Sequence, residues 1–194
     1  ITGMPKIFAS FNAPSLSTRS TIKIKSGKDF ISLTPLKSLL NLACSLFNLE
    51  DQVPTKPYRV KYGKAAVRRK GADVTLVAIG CLVIDCLKVA KNLSSKGIDV
   101  EVIDPRTLTP LDRNTIIKSV LKTKRLVVAD PGWHSFGAAS EIISSVSENN
   151  LIKMKSNPTR ITLPDSHTPM SGPLEKKYYI NQNQITLAIE NSLK

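Results

Sequence analysis

The chain has 194 residues, of which 41% are apolar, and a net charge of +13; that length holds one domain of ordinary size plus an appendage. No run of about 18 apolar residues occurs, so no membrane span is expected. Three cysteines without a Cys-x-x-Cys pair signal neither a disulfide framework nor a zinc site. The basic residues are spread along the chain and only 5% of side chains are aromatic, which excludes a stacking platform or groove-reading motif and argues against specific nucleic-acid binding.

Residues 1–50 read unlike the rest, as an irregular leader. Ile1 is not an initiator, and a Ser/Thr-rich, Lys-bearing stretch over 15–28 has no acid before Asp29, the composition of a targeting peptide or a disordered leader. Thr34-Pro35 opens a predicted helix over 35–47, with Leu36, Leu39, Leu40 and Ala43 on one face. Residues 51–62 are a linker, because Pro54 and Pro57 forbid regular helix. Residues 63–194 form the α/β domain.

Residues 63–71 predict an edge strand and turn, with Arg68, Arg69 and Lys70 as charges that discourage unwanted pairing. A nearly continuous apolar run over 74–79 fits a strand covered on both faces. The helix behind it sets Leu82, Val83, Cys86, Leu87, Ala90 and Leu93 on one stripe. Cys86 is therefore expected to pack, and Cys81 to sit at the helix start.

Gly97 stops that helix. The β-branched run that follows ends in a Pro-bracketed turn whose last residue, Asp112, caps a third segment. There Ile116, Ile117, Val120 and Leu121 are expected inward, and Lys118, Lys122 and Lys124 in water. A strand over 126–129 leads through 130–137 into a helix with Ala138, Ala139, Ile142, Ile143 and Val146 periodic, and Gly137 admits close backbone approach at its start. A strand over 159–163, a Pro-rich loop over 164–173 and a helix over 183–193 complete the chain. Strands and helices in alternation predict an open, mostly parallel sheet with helices on both faces, a three-layer α/β fold.

In such a sheet ligands bind beyond the carboxyl ends of the strands. That edge carries Cys81, Asp104 and Arg106, Asp130 with Trp133 and His134, and Asp165 with His167. Three Asp and two His in one place would suit a metal or acid–base site. An Asp following a strand, however, commonly caps the next helix or closes an Asx turn, and that reading is preferred. The two histidines are assigned solvated or interface positions, and Trp133, the single tryptophan, an interface anchor. Neither a phosphate-binding Gly-rich loop, a nucleophile elbow nor a metal-ligand helix is legible; no catalytic, cofactor-binding or metal residue is assigned.

A run of short matches then carries a resemblance over residues 46–194: Leu46-Phe47-Asn48 with Val53-Pro54 and Tyr58, Gly63-Lys64-Ala65, Gly71 with Asp73-Val74-Thr75, and Gly97-Ile98. It continues through Val102-Ile103-Asp104-Pro105-Arg106-Thr107-Leu108 with Pro110-Leu111-Asp112, Ser119-Val120 with Lys122-Thr123 and Arg125-Leu126-Val127-Val128, Phe136-Gly137 with Glu141-Ile142, and Leu174-Glu175 before Tyr179. In this order they resemble the carboxyl-terminal domain of transketolase-like enzymes, closest to the beta subunit of the thiamine-diphosphate-dependent decarboxylating component of 2-oxo acid dehydrogenase complexes.

The resemblance implies an assembly domain, with Asp104, Arg106, Asp130, Trp133, His134, Glu141, His167 and Glu175 as candidate interface or loop-edge residues. It implies as partners an alpha subunit, a second beta subunit and the acyltransferase core of the complex. Thiamine diphosphate and magnesium are expected in the assembled enzyme and not on this chain alone, because no residues match the family's diphosphate site or its activating Glu. The chain is then expected to be a fragment, a separately encoded piece or a decayed copy. Its location would be the cytoplasm in a bacterium, or a mitochondrion or plastid. Transketolase or deoxyxylulose-phosphate synthase, which share the fold, and a basic nucleic-acid-binding module are the rival readings.

Overall fold

The computed structural model describes residues 59–149 and 151–194; the leader, its helix over 35–47 and most of the linker lie outside the described residues. The chain divides into two compact units, Ile1–Lys61 and Tyr62–Lys194, and every regular element among the described residues belongs to the second.

Its elements are β1 (Ala66–Arg69), β2 (Val74–Ala78), α1 (Leu82–Ser94), β3 (Val100–Asp104), α2 (Arg113–Thr123), β4 (Leu126–Trp133), α3 (Ala138–Ser147), β5 (Thr159–Leu163), α4 (Gly172–Tyr178) and α5 (Gln182–Leu193). The sheet runs β1-β3-β2-β4-β5. β1 pairs with β3 antiparallel, and the other three pairings are parallel. The expected open, mostly parallel α/β sheet is the fold observed.

Strand alternation sorts the apolar side chains into two layers. Leu76, Val102 and Val127 face one side, with Cys86, Val89 and Leu93 of α1 and Ile185 and Ile189 of α5 packed over them. Val77, Ile103 and Val128 face the other, under Ile116 and Val120 of α2 and Ala139 and Ile142 of α3. From β2 the chain moves outward to β3, and from β3 it returns past β2 to β4. Parallel crossovers keep one hand, so the covering helix changes face at that reversal, and the gap between the carboxyl ends of β2 and β4 becomes the switch point of the sheet.

Leu121 is not inward: it is 38% exposed, and Ser119 and Thr123 join Ile116 and Val120 as the buried residues of α2. The reason is Thr75 in the middle of β2, whose hydroxyl contacts Ser119 Oγ and Thr123 Oγ1 at 2.7 Å each. Lys122 is not a solvated bystander, since its Nζ reaches Glu101 Oε2 at 2.5 Å. Arg68 and Arg69 do more than guard an edge: Arg68 pairs with Asp104 at 2.7 Å and Arg69 with Asp99 at 3.0 Å, clamping β1 onto β3. β4 continues through residues 130–133 with a register shift against β5 between Ala129 and Trp133. α4 begins inside the segment expected to be loop, with Pro173 in its first turn.

Gly71 is demanded by packing, because a Cβ there would lie 2.3 Å from the Val100 carbonyl carbon. Its amide donates to Glu101 at 3.2 Å, so the turn entering β2 is seated directly on β3.

Candidate functional site

The carboxyl edge brings the sequence-derived candidates together only in part. At the end of β3, Asp104 Oδ1 accepts the Arg106 amide at 3.0 Å, an Asx turn, and Oδ2 accepts from Arg68. Arg106 has a left-handed backbone, φ 61°, and its Nε is buried without a hydrogen-bond partner. Asp112 closes the loop: it accepts from the Thr115 amide and hydroxyl and the Ala65 amide, with Lys64 Nζ at 3.6 Å. Burial pushes its carboxyl up, but these donors outweigh it and leave Asp112 below its ordinary value.

Within β4, where its register against β5 shifts, Asp130 is 4% exposed. Its Oδ1 accepts the Gly132 amide and its Oδ2 the Ala139 amide, each at 2.8 Å, so it caps α3 across the intervening loop. Gly137 lies beneath: a Cβ there would sit 2.6 Å from the Trp133 carbonyl oxygen and 3.1 Å from Asp130 Oδ2, the close approach expected of it. Asp165 accepts the Ser135 amide at 2.9 Å and its hydroxyl at 2.7 Å. Those two bonds hold its carboxyl below the usual range.

His134 stands between Thr162, 3.0 Å from Nδ1, and Arg160, 2.8 Å from Nε2. The guanidinium can only donate, so Nε2 accepts and Nδ1 carries the proton. Trp133 is 53% exposed, and its Nε1 donates to Tyr178 of α4 at 3.2 Å, whose hydroxyl in turn donates to the Ser166 carbonyl. Phe136 is fully exposed at φ 57°, an uncommon backbone for an aromatic residue.

Three candidates stand apart from this group. Glu141 pairs with Arg113 across the exposed side of α2 and α3, His167 is exposed in the loop after β5, and Glu175 lies in the first turn of α4. Arg160, Ser135 and Tyr178 belong to the edge but carried no sequence signal, since each acts on a partner more than ten residues away. Among the described residues no three His, Cys, Asp or Glu side chains are grouped as a metal cage. Cys81 begins α1 with no side-chain capping bond, and Cys86 is buried, its thiol pushed up to about 12 by burial, with Asp85 adding to the shift.

The domain is a doubly wound α/β unit whose edge carboxylates are engaged by its own donors. The chain belongs to the transketolase C-terminal domain family, whose model matches residues 63–185. It is 37% identical over 139 residues to the beta subunit of acetoin:2,6-dichlorophenolindophenol oxidoreductase of Bacillus subtilis, covering 72% of this chain and 41% of that protein. It is 36% identical over 148 residues to the mitochondrial pyruvate dehydrogenase E1 component subunit beta of Bos taurus, covering 76% and 41%. Among solved structures, a split gene transketolase, an inactive beta4 tetramer, superposes with a TM-score of 0.61 at 28% identity over 70% of this chain and 44% of that one. The chain thus spans about two fifths of the length of the curated relatives it matches. Among the described residues no helix is long and apolar enough to cross a membrane.

Proposed function

We propose that this chain is the assembly and partner-binding domain of a 2-oxo acid dehydrogenase beta subunit of the pyruvate dehydrogenase type. It contributes to oxidative decarboxylation of a 2-oxo acid within the assembled enzyme, beside an alpha subunit, a second beta subunit and the acyltransferase core, in the bacterial cytoplasm or a mitochondrion or plastid. The observation that carries the reading is the makeup of the carboxyl edge. Its carboxylates serve the fold, while Trp133, Phe136 and Leu174 stay exposed around the Trp133–Tyr178 contact. Large exposed apolar side chains suit burial against another subunit.

Trp133 is the chain's one tryptophan, so its fluorescence reports on that edge alone. Mixing the chain with the alpha subunit from the same source is expected to give co-elution and a blue shift of the emission, weakened by Phe136→Ala. Separate elution with unchanged emission would remove the assembly reading.

Thiamine diphosphate with magnesium does not fit this edge, because Asp104, Asp130 and Asp165 already accept protein donors. Calorimetric titration of the isolated chain with cofactor and magnesium is expected to be flat at micromolar concentrations. A saturable micromolar isotherm would overturn the assignment of the cofactor to other parts of the enzyme.

A further inference from the structure

The opposite end of the sheet carries a second surface. Seven ion pairs form among the described residues, and Lys124, Lys153 and Lys155 take part in none of them. These three are close in the fold. The Lys155 amide donates to the Lys124 carbonyl at 2.8 Å, laying the segment after α3 beside the carboxyl end of α2.

Exposure alternates along that segment. Ile152 and Met154 pack against the core shared by α2 and α3, while Leu151, Lys153 and Lys155 point outward. Leu151 is 79% exposed, so an apolar contact opens the row of cations. Lys124 holds the left-handed cap of α2 at φ 58°, with its amide on the Val120 carbonyl at 2.7 Å. Glycine is usual at such a cap; a lysine there sets one more cation beside the helix end. No carboxylate of the described residues lies within 4.0 Å of these three ammonium groups, and Glu101 is paired with Lys122.

We propose that Lys124, Lys153 and Lys155, with Leu151, form a docking surface for an acidic segment of a partner protein. Three neighbouring ammonium groups without a carboxylate repel one another, and an acidic chain laid across them relieves that repulsion. The exposed rings of Trp133 and Phe136 lie at the other end of the sheet, so this surface offers bases nothing to stack on. The net charge of +13 draws such a partner from a distance.

The test uses the full chain and two fluorescent probes, a deca-glutamate peptide and a 20-base-pair DNA duplex, followed by anisotropy at physiological salt. Two triple variants change the net charge equally: Lys124→Glu with Lys153→Glu and Lys155→Glu, and a scattered set, Lys70→Glu with Lys91→Glu and Lys177→Glu. The clustered triple is expected to weaken peptide binding about tenfold or more, and the scattered one less than about twofold. If the clustered Glu variant fails to fold, the corresponding Lys→Gln triple is judged by the same criterion. Equal weakening by both triples, no binding of the peptide by the wild-type chain, or tighter binding of the duplex than of the peptide would each overturn the proposal.

Discussion

Gly137 and Lys122 show how differently two positions can depend on their surroundings. A side chain at Gly137 meets the Trp133 carbonyl oxygen at 2.6 Å, and backbone cannot swing aside. Gly137→Leu is therefore expected to cost about 1–3 kcal/mol by overpacking and to lower the melting temperature by roughly 5 °C or more. Sequence reasoning makes Lys122→Ala nearly neutral. The ion pair with Glu101, whose side chain is only 7% exposed, changes that expectation: the variant leaves a buried carboxylate with fewer donors, at about 1 kcal/mol. Thermal melts of both variants check the order, and equal melting temperatures would refute the close approach at Gly137. The cysteines supply a second residue-level prediction. Cys86 has no exposed surface and a thiol pushed up to about 12, whereas Cys81 is half-buried. A brief pulse of iodoacetamide at pH 8 followed by peptide mass mapping is expected to label Cys81 and spare Cys86 until the chain is unfolded; comparable labelling of both would contradict the packing of α1.

Among the elements, α5 closes the layer over β2 and β4 and depends on its first turn. Asn181 accepts the Gln184 amide at 3.0 Å while Gln184 Oε1 accepts the Asn181 amide at 2.9 Å, a capping box. Asn181→Ala is expected to cost about 1 kcal/mol, read as a lower urea midpoint with an unchanged slope. An unchanged midpoint would mean that Ile185 and Ile189, both wholly buried, hold the helix without its cap. β4 shows the converse dependence. Residues 130–133 contain Pro131 and Gly132, which punctuate a strand in isolation, yet pairing of Trp133 with Leu163 and the capping of α3 by Asp130 keep them extended.

For the whole molecule, acid is the informative perturbation. Burial raises the Glu101 carboxyl, but donors from Lys122, Ser119 and Gly71 outweigh it and hold the group below its ordinary value of 4.5; Asp112 likewise lies below 3.8. Folded-state values that are depressed contribute stability present above the unfolded-state values and lost as pH falls through the folded ones. The urea midpoint is expected to stay level from about pH 7 to 5 and to fall below about pH 4, more shallowly in Glu101→Gln. A midpoint that holds down to about pH 3 would show that these carboxylates do not tie β3 to α2 and the turn before β2. The same carboxylates set opposite charges together where elements meet, Glu101 with Lys122 and Asp112 with Lys64.

The sequence alone determined the elements whose causes are local. The apolar run of β2, the stripe of α1, the Asp112 cap, the strand Thr159–Leu163 and the short matches that mark the family can each be read within a dozen residues, because strand period, helix period and capping act at that range. Features that depend on distant partners arise from the packing of the folded chain. The sheet order, the inward turn of Ser119 and Thr123 toward Thr75, the pairing of Lys122 with Glu101, the extended path through residues 130–133 and the cluster of Lys124 with Lys153 and Lys155 all join residues 20 or more positions apart or from different elements. Periodicity in one segment reports which face is buried but not against what. A hydroxyl or an ammonium group takes its place from the donor or acceptor opposite it, and that group is supplied by another part of the chain.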